Sequence, residues 1–134
     1  MWYLRSVLRS SKALPLNGHG RTAEAAVPEP FDVEVEHHDD VALVRPRGEL
    51  DLATAAALQH VLDGISSPRL VLDLSELSFI DSTGLHLLVA LHERSQREGF
   101  ELTLRAPRPP VDRTIHLCGL VDALPFTSAV DVAD

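Results

Sequence analysis

The segment LSFIDSTGLHLLVAL, residues 77–91, decides how the rest of the chain is organised. It begins as an apolar run, breaks into the four small or polar residues 81–84, and continues as a leucine-rich run of helical length. The side chains of Ser, Thr and Asp accept hydrogen bonds from the unpaired N–H groups of a first helical turn. The segment therefore predicts a strand or loop that passes directly into the N-terminus of a helix.

Gly84 is the residue of this break that a helix start does not explain. A glycine inside a helix costs about 1 kcal/mol relative to alanine. A capping box would place Glu or Gln three residues after the cap, and neither Leu85 nor His86 fits that pattern. We therefore expect Gly84 to permit a close approach of another group to the backbone.

The leucine-rich run that follows predicts a helix packed on a sheet. Helical spacing assigns four residues to the core and leaves two off that stripe, either as exposed apolar contacts for a partner or as contacts to a neighbouring helix. The core positions are Leu85, Leu88, Val89 and Leu91, and the positions off the stripe are Leu87 and Ala90.

Length and composition indicate one domain with an aliphatic core. The chain has 134 residues, of which 45% are hydrophobic and only 4% aromatic. Its formal net charge is −8, and this excludes a nucleic-acid partner because neutralising phosphates requires clustered Lys and Arg. Four basic residues and no acid lie in residues 1–23. The other eight basic and all twenty acidic residues lie in 24–134, a net of −12.

Cysteine usage and hydropathy predict a cytoplasmic protein. Cys118 is the single cysteine, so no disulfide can form within the chain and a reducing compartment is the default. No apolar run approaches the roughly 20 residues that cross a bilayer, and arginines interrupt residues 1–16 where a secretory signal would be apolar. We expect no stable membrane association.

The hydrophobic periodicity predicts the element order β-β-α-β-α-β-α-β. The predicted strands are residues 31–36, 41–45, 70–74, 100–105 and 120–126, and the predicted helices are 52–65, from the 81–84 break to about 99, and 110–118. Strand and helix alternation after an opening hairpin predicts an α/β fold, a mixed β-sheet of four to five strands with helices packed against it.

Residues at the ends of these elements lead to further predictions. Pro46 should end the second strand or lie on an edge, and residues 47–51 should form a loop. Asp51 should cap the first helix. Residues 1–30 are predicted to be a disordered or flexible extension, and 31–134 the folded domain.

The motifs of common catalytic sites do not occur in the sequence. Ser82 has no G-x-S-x-G frame, and neither a P-loop nor a G-x-G-x-x-G motif is present. No two of the seven histidines stand four residues apart, and the single cysteine cannot form a thiolate site. We therefore expect a binding protein, not an enzyme, with no cofactor and no metal.

The hydroxyl group of Ser82 allows two interpretations. Ser82 or Thr83 could simply cap the helix. Alternatively, an exposed hydroxyl at a helix N-terminus suits phosphorylation, because the phosphate would meet unpaired N–H groups and the positive end of the helix dipole. A phosphate adds about −1.5 to −2 charge at pH 7, next to Asp81 and on an acidic domain, and would repel an acidic or apolar partner surface.

The residues GELD at 48–51 and LSFIDSTGL at 77–85 resemble the STAS domain, and the resemblance covers about residues 31–126. The most similar members are the single-domain anti-sigma factor antagonists of bacteria. The resemblance implies a partner switch in which the unmodified domain binds an anti-sigma factor, itself an ATP-dependent serine kinase, and a sigma factor is released. The kinase then phosphorylates Ser82, the complex dissociates, and a PP2C-type phosphatase restores the hydroxyl.

The same resemblance implies roles for the neighbours of Ser82. Thr83 matches the second hydroxyl, which supports the turn, and Gly84 matches the small residue that lets the partner approach. Asp51 matches a loop acid that contacts the kinase, and Asp81 matches the acid that precedes the acceptor.

Two residues depart from the family pattern, and two other functions stay open. His86 stands where the sporulation relative has Gly, which implies a different fit to the kinase, and Pro46 stands in the run that leads to Gly48. A STAS-like scaffold or interaction domain without a phosphate switch, of the lipid-transport or stressosome kind, would keep the binding face. A small-molecule sensor or an unrecognised enzyme is the third hypothesis.

Overall fold

The computed structural model describes residues 4–10 and 30–127, and this part of the chain forms a sheet with three helices. The strands are β1 Leu4–Ser10, β2 Phe31–His38, β3 Val41–Leu50, β4 Arg69–Asp73, β5 Leu77–Ile80, β6 Glu101–Arg105 and β7 Phe126–Thr127. The helices are α1 Ala55–Asp63, α2 Ser82–Glu98 and α3 Val111–Leu117.

The strands form one mixed sheet in the order β1-β2-β3-β4-β6-β7, and β5 pairs with β3. The first three strands are antiparallel neighbours, and every pairing after them is parallel. The predicted α/β fold with a mixed sheet is confirmed. The sheet has seven strands within the described residues and not four to five, because β1 was not predicted and residues 77–80, predicted as a strand or a loop, were not counted among the strands.

The first of these two strands lies in the segment that was expected to be a disordered extension. Leu4–Ser10 pairs antiparallel with β2, with Leu4 opposite His37 and Ser10 opposite Phe31. The expectation is therefore wrong for this strand. Residues 1–3 and 11–29, to which the same expectation applied, lie outside the described residues.

Strand β3 is longer than predicted and carries Pro46 in its interior. It pairs with β4 over residues 41–44 and with β5 from Gly48 to Leu50. Pro46 lies between these two ladders, where a residue without an N–H removes no bond to a parallel neighbour. Gly48 has a φ of 105° at the register shift where β3 moves from one partner to the other. The expected loop at 47–51 is thus mostly strand.

The helices cover one face of the sheet and form an aliphatic core with it. The fully buried side chains come from both layers, and they include Val33, Val44, Leu72 and Leu104 of the strands and Leu58 and Leu88 of the helices. The core positions predicted on α2 are buried except Val89, which is partly buried. Of the two positions off the stripe, Leu87 is buried, which fits a contact within the domain, and Ala90 is exposed.

Four charged residues alternate in sign across the opposite face of the sheet. The strand register places Glu34 opposite Arg45, and Asp73 opposite Arg105. The guanidinium of Arg45 donates to Glu34 at 2.9 Å and to Asp73 at 3.1 Å, and Arg105 donates to Asp73 at 3.4 Å. We call these four residues the charge row. Its centre is Asp73, whose side chain is only 4% exposed.

Hydrogen bonds from Ser75 and the adjacent Arg45 lower the pKa of Asp73. Burial raises the pKa of the Asp73 carboxyl, but the backbone N–H of Ser75 at 3.0 Å, the Ser75 side chain and Arg45 together outweigh burial. The pKa of Asp73 therefore lies below its ordinary value of 3.8. A carboxyl whose pKa is lower in the folded state stabilises the fold above its ordinary pKa. It loses that contribution as the pH falls through the folded-state value.

We predict that Asp73→Asn lowers the free energy of unfolding by about 2–3 kcal/mol at pH 7, because two mostly buried guanidinium groups lose their shared carboxylate. The difference in the free energy of unfolding between the variant and the unmodified chain should shrink as the pH falls below 3.8, because Asp73 of the unmodified chain then also becomes protonated. Urea unfolding over a pH series measures both effects.

The matched control is Asp63→Asn, which removes the carboxylate from an exposed pair with Arg94 at 3.3 Å. Its side chain is 62% exposed, so we expect a change of at most about 0.5 kcal/mol. A stability loss for Asp73→Asn that stays constant down to pH 2 would contradict the role assigned to its charge.

Candidate functional site

Helix α2 begins at Ser82, and Asp81 is its N-cap. Asp81 has an extended backbone conformation, and its side-chain Oδ1 accepts a hydrogen bond from the Gly84 N–H at 3.1 Å. The predicted helix start is confirmed, but neither Ser82 nor Thr83 caps it. Ser82 is exposed, and Thr83 is half-buried. The structure therefore leaves the Ser82 hydroxyl outside the hydrogen bond that starts the helix.

The Asp81 carboxylate also holds the loop between β3 and α1 beside Ser82 by a hydrogen bond. Its second oxygen, Oδ2, accepts a hydrogen bond from the Leu52 N–H at 3.3 Å. The Asp81 N–H donates in turn to the Leu50 carbonyl at 3.2 Å. The GELD motif and the DSTG motif, about 30 residues apart in sequence, are thereby brought together.

Asp51 closes a turn before α1 and does not cap the helix. Its Oδ1 accepts hydrogen bonds from the N–H groups of Ala53 at 3.0 Å and Thr54 at 3.2 Å. The N-cap is Thr54, which is buried and donates its hydroxyl to the Glu49 carbonyl at 2.7 Å. The prediction that Asp51 caps a helix from residue 52 is therefore wrong by one turn.

This turn moves Leu52 out of the core. Leu52 is the first residue of the helix predicted over 52–65, but in the structure it precedes α1 and its side chain is 78% exposed. Phe79 of β5, two residues before Asp81, is 46% exposed. Sequence reasoning missed both residues, because their exposure depends on the turn at 51–54 and on the position of β5 beside β3.

Gly84 permits the close approach that the sequence predicted, but the approaching groups belong to the same chain and not to a partner. It is buried, and a Cβ atom built on it would lie 2.7 Å from Ile80 Cγ1, 2.9 Å from Leu50 Cγ and 3.0 Å from the Leu50 carbonyl oxygen. The close approach at this glycine is therefore made by the chain itself, where α2 packs on the ends of β3 and β5. Gly84 is not part of the exposed surface.

The exposed face of α2 continues from Ser82 along the helix. His86 and Ala90 are exposed and stand four and eight residues after Ser82, so the three share one face. Of the residues predicted to surround the acceptor, the structure brings Asp51, Asp81, Thr83 and His86 to this end of the domain, and it buries Gly84.

A cavity of about 460 Å³ lies at the other end of α2, away from Ser82. Arg94 lines it and pairs with Asp63 and Glu98, each at 3.3 Å, while its guanidinium lies 5.6 Å from the centre of the Phe100 ring. Among the described residues, no three His, Cys, Asp or Glu side chains are grouped to hold a metal ion. No helix of residues 4–10 and 30–127 is long and apolar enough to cross a membrane.

The fold and the site define a small α/β domain that presents an exposed serine on a capped helix N-terminus. A family model for the STAS domain matches residues 32–133. The chain belongs to the STAS domain family, as the GELD and DSTG motifs implied.

Several relatives of this chain are named anti-sigma factor antagonists. The anti-sigma F factor antagonist of Paenibacillus polymyxa is 33% identical over 100 residues, which cover 72% of this chain and 86% of that protein. RsfB, an anti-sigma-F factor antagonist of Mycobacterium tuberculosis, is 36% identical over 99 residues, which cover 71% and 80%. The crystal structure of an anti-sigma factor antagonist from Mycobacterium paratuberculosis matches with a TM-score of 0.63 and 38% identity, covering 70% and 82%.

We predict that Gly84→Ala destabilises the domain by about 1–3 kcal/mol, because the added methyl group meets a backbone carbonyl that cannot move without shifting β3. Gly64→Ala is the matched control. A Cβ at Gly64 would lie 3.6 Å from its nearest neighbour, an ordinary contact. Thermal unfolding compares the two variants, and equal midpoints would show that Gly84 is not required by packing.

Proposed function

We propose that this protein is an anti-sigma factor antagonist controlled by phosphorylation of Ser82. The unmodified domain binds an anti-sigma factor that is an ATP-dependent serine kinase, and a sigma factor is released. Phosphorylation of Ser82 ends the binding, and a PP2C-type phosphatase restores it. The family membership and the names of the relatives support the antagonist function.

The phosphate switch is supported by the observation that the helix cap and the phosphate acceptor are two different residues. Asp81 caps α2, so the exposed Ser82 hydroxyl can enter a kinase site without loss of the bond that starts the helix. The unpaired N–H groups of the first turn and the helix dipole favour a phosphate at this position. The modified domain would therefore keep its fold.

The effect on the partner follows from charge. A phosphate adds about −1.5 to −2 at pH 7, and the carboxylates of Asp81 and Asp51 already lie on this surface. Like charges that meet across an interface cost several kcal/mol. A partner surface that accommodates the neutral hydroxyl would lose affinity when it faces a dianion.

The test is the intact mass of the chain after incubation with the cognate anti-sigma factor kinase and ATP. The unmodified chain should gain one phosphate, located at Ser82 by fragmentation, and Ser82→Ala should gain none. Thr83→Ala is the control, because it removes the neighbouring hydroxyl and should still accept one phosphate. A phosphate on Ser82→Ala would show that the acceptor is another residue.

Binding to the same kinase is the second prediction for this site. Ser82→Ala should bind about as tightly as the unmodified chain, while Ser82→Asp should bind at least tenfold more weakly because it adds a negative charge beside Asp81. Titration calorimetry measures both affinities. A pull-down that recovers partners but no kinase-fold protein would favour the scaffold function instead.

A further inference from the structure

Leu52 has an apolar side chain that is exposed to solvent in this structure. The turn that carries it is closed by the Asp51 carboxylate and anchored by the buried Thr54, whose hydroxyl donates to Glu49. The Leu52 N–H itself donates to Asp81. Because the loop is fixed on both sides, the exposure of Leu52 at 78% is a property of the fold.

The position of Leu52 places it at the proposed phosphate switch. Its backbone is bonded to the carboxylate of the residue that precedes Ser82. Phe79, which is 46% exposed, lies on the strand that leads into the same residue. Within the described part of the chain, Leu117 is the other large hydrophobic residue that is strongly exposed, at 80%, and it ends α3.

We propose that Leu52 is a specificity-determining contact of the surface around Ser82, and that Asp81 positions it. This inference rests on the proposed function. The occupant is the anti-sigma factor kinase, because the Leu52 loop adjoins Ser82, the residue that the kinase must reach. The matching surface of the kinase would be an apolar pocket that receives the Leu52 side chain.

Burial of Leu52 in such a pocket explains how an exposed leucine serves binding. A leucine side chain that leaves water on association contributes a substantial share of the affinity. A rigid loop also avoids the entropy that a mobile one loses when it docks. A kinase with a smaller or more polar pocket would be rejected, so this residue would select among related kinases.

The first experiment compares Leu52→Ala with Leu117→Ala, two truncations of equally exposed leucines. The unmodified, unphosphorylated chain and both variants are titrated with the purified cognate kinase. Leu52→Ala should weaken binding at least tenfold, and Leu117→Ala should stay within twofold. Both variants should unfold at the same temperature as the unmodified chain, because neither side chain is buried.

The outcomes separate this inference from the proposed function. If Leu52→Ala binds within twofold of the unmodified chain while Ser82 still accepts phosphate, the role of Leu52 is overturned and the antagonist function stands. If the unmodified chain neither binds the kinase nor accepts phosphate at Ser82, the antagonist function fails and the inference fails with it.

The second experiment tests the positioning role of Asp81 with Asp81→Asn. The amide oxygen can still accept from the Gly84 N–H, but the NH₂ group cannot accept from the Leu52 N–H. Hydrogen exchange at the Leu52 amide should therefore become faster, and binding should weaken. In the Leu52→Ala background, Asp81→Asn should change log Kd by less than half as much as it does in the unmodified chain. Additive losses would show that Asp81 does not act through Leu52.

Discussion

The Asp81 carboxylate is the group on which the architecture of this end of the domain depends. One oxygen accepts from Gly84 and starts α2, and the other accepts from Leu52 and holds the β3–α1 loop. Each bond satisfies a backbone N–H that would otherwise be unpaired near the end of an element. Because a single side chain makes both bonds, the two sequence motifs of the family are held in one fixed arrangement. Ser82, which lies next to Asp81, remains exposed at the first position of the helix.

The structure thus divides two roles between adjacent residues. Asp81 provides the structural cap, and the neighbouring hydroxyl is left available for chemistry. The rest of the domain makes this division stable. Gly84 allows α2 to pack directly on Leu50 and Ile80, and the charge row joins β2, β3, β4 and β6 on the far face of the sheet.

Local chemistry determined which features could be predicted from the sequence. The start of α2 was predictable because Asp81, Ser82 and Thr83 are typical of a helix N-terminus. The buried strand β4 was predictable because its central residues 70–72 are leucine and valine. The sequence predicted a close approach at Gly84 but not the group that makes it, since Leu50 lies 34 residues earlier. Pro46 within β3 and the exposure of Leu52 likewise follow from tertiary pairing: β3 changes partner near Pro46, and Asp81 holds the loop of Leu52.

We expect a phosphate on Ser82 to leave the fold undisturbed, because Asp81 and not Ser82 caps the helix. The most direct test is the free energy of unfolding of the chain phosphorylated at Ser82, measured by urea denaturation beside that of the unmodified chain. We expect the two values to agree within about 1 kcal/mol, since helix N-termini accommodate phosphate. A loss of several kcal/mol on phosphorylation would contradict this expectation.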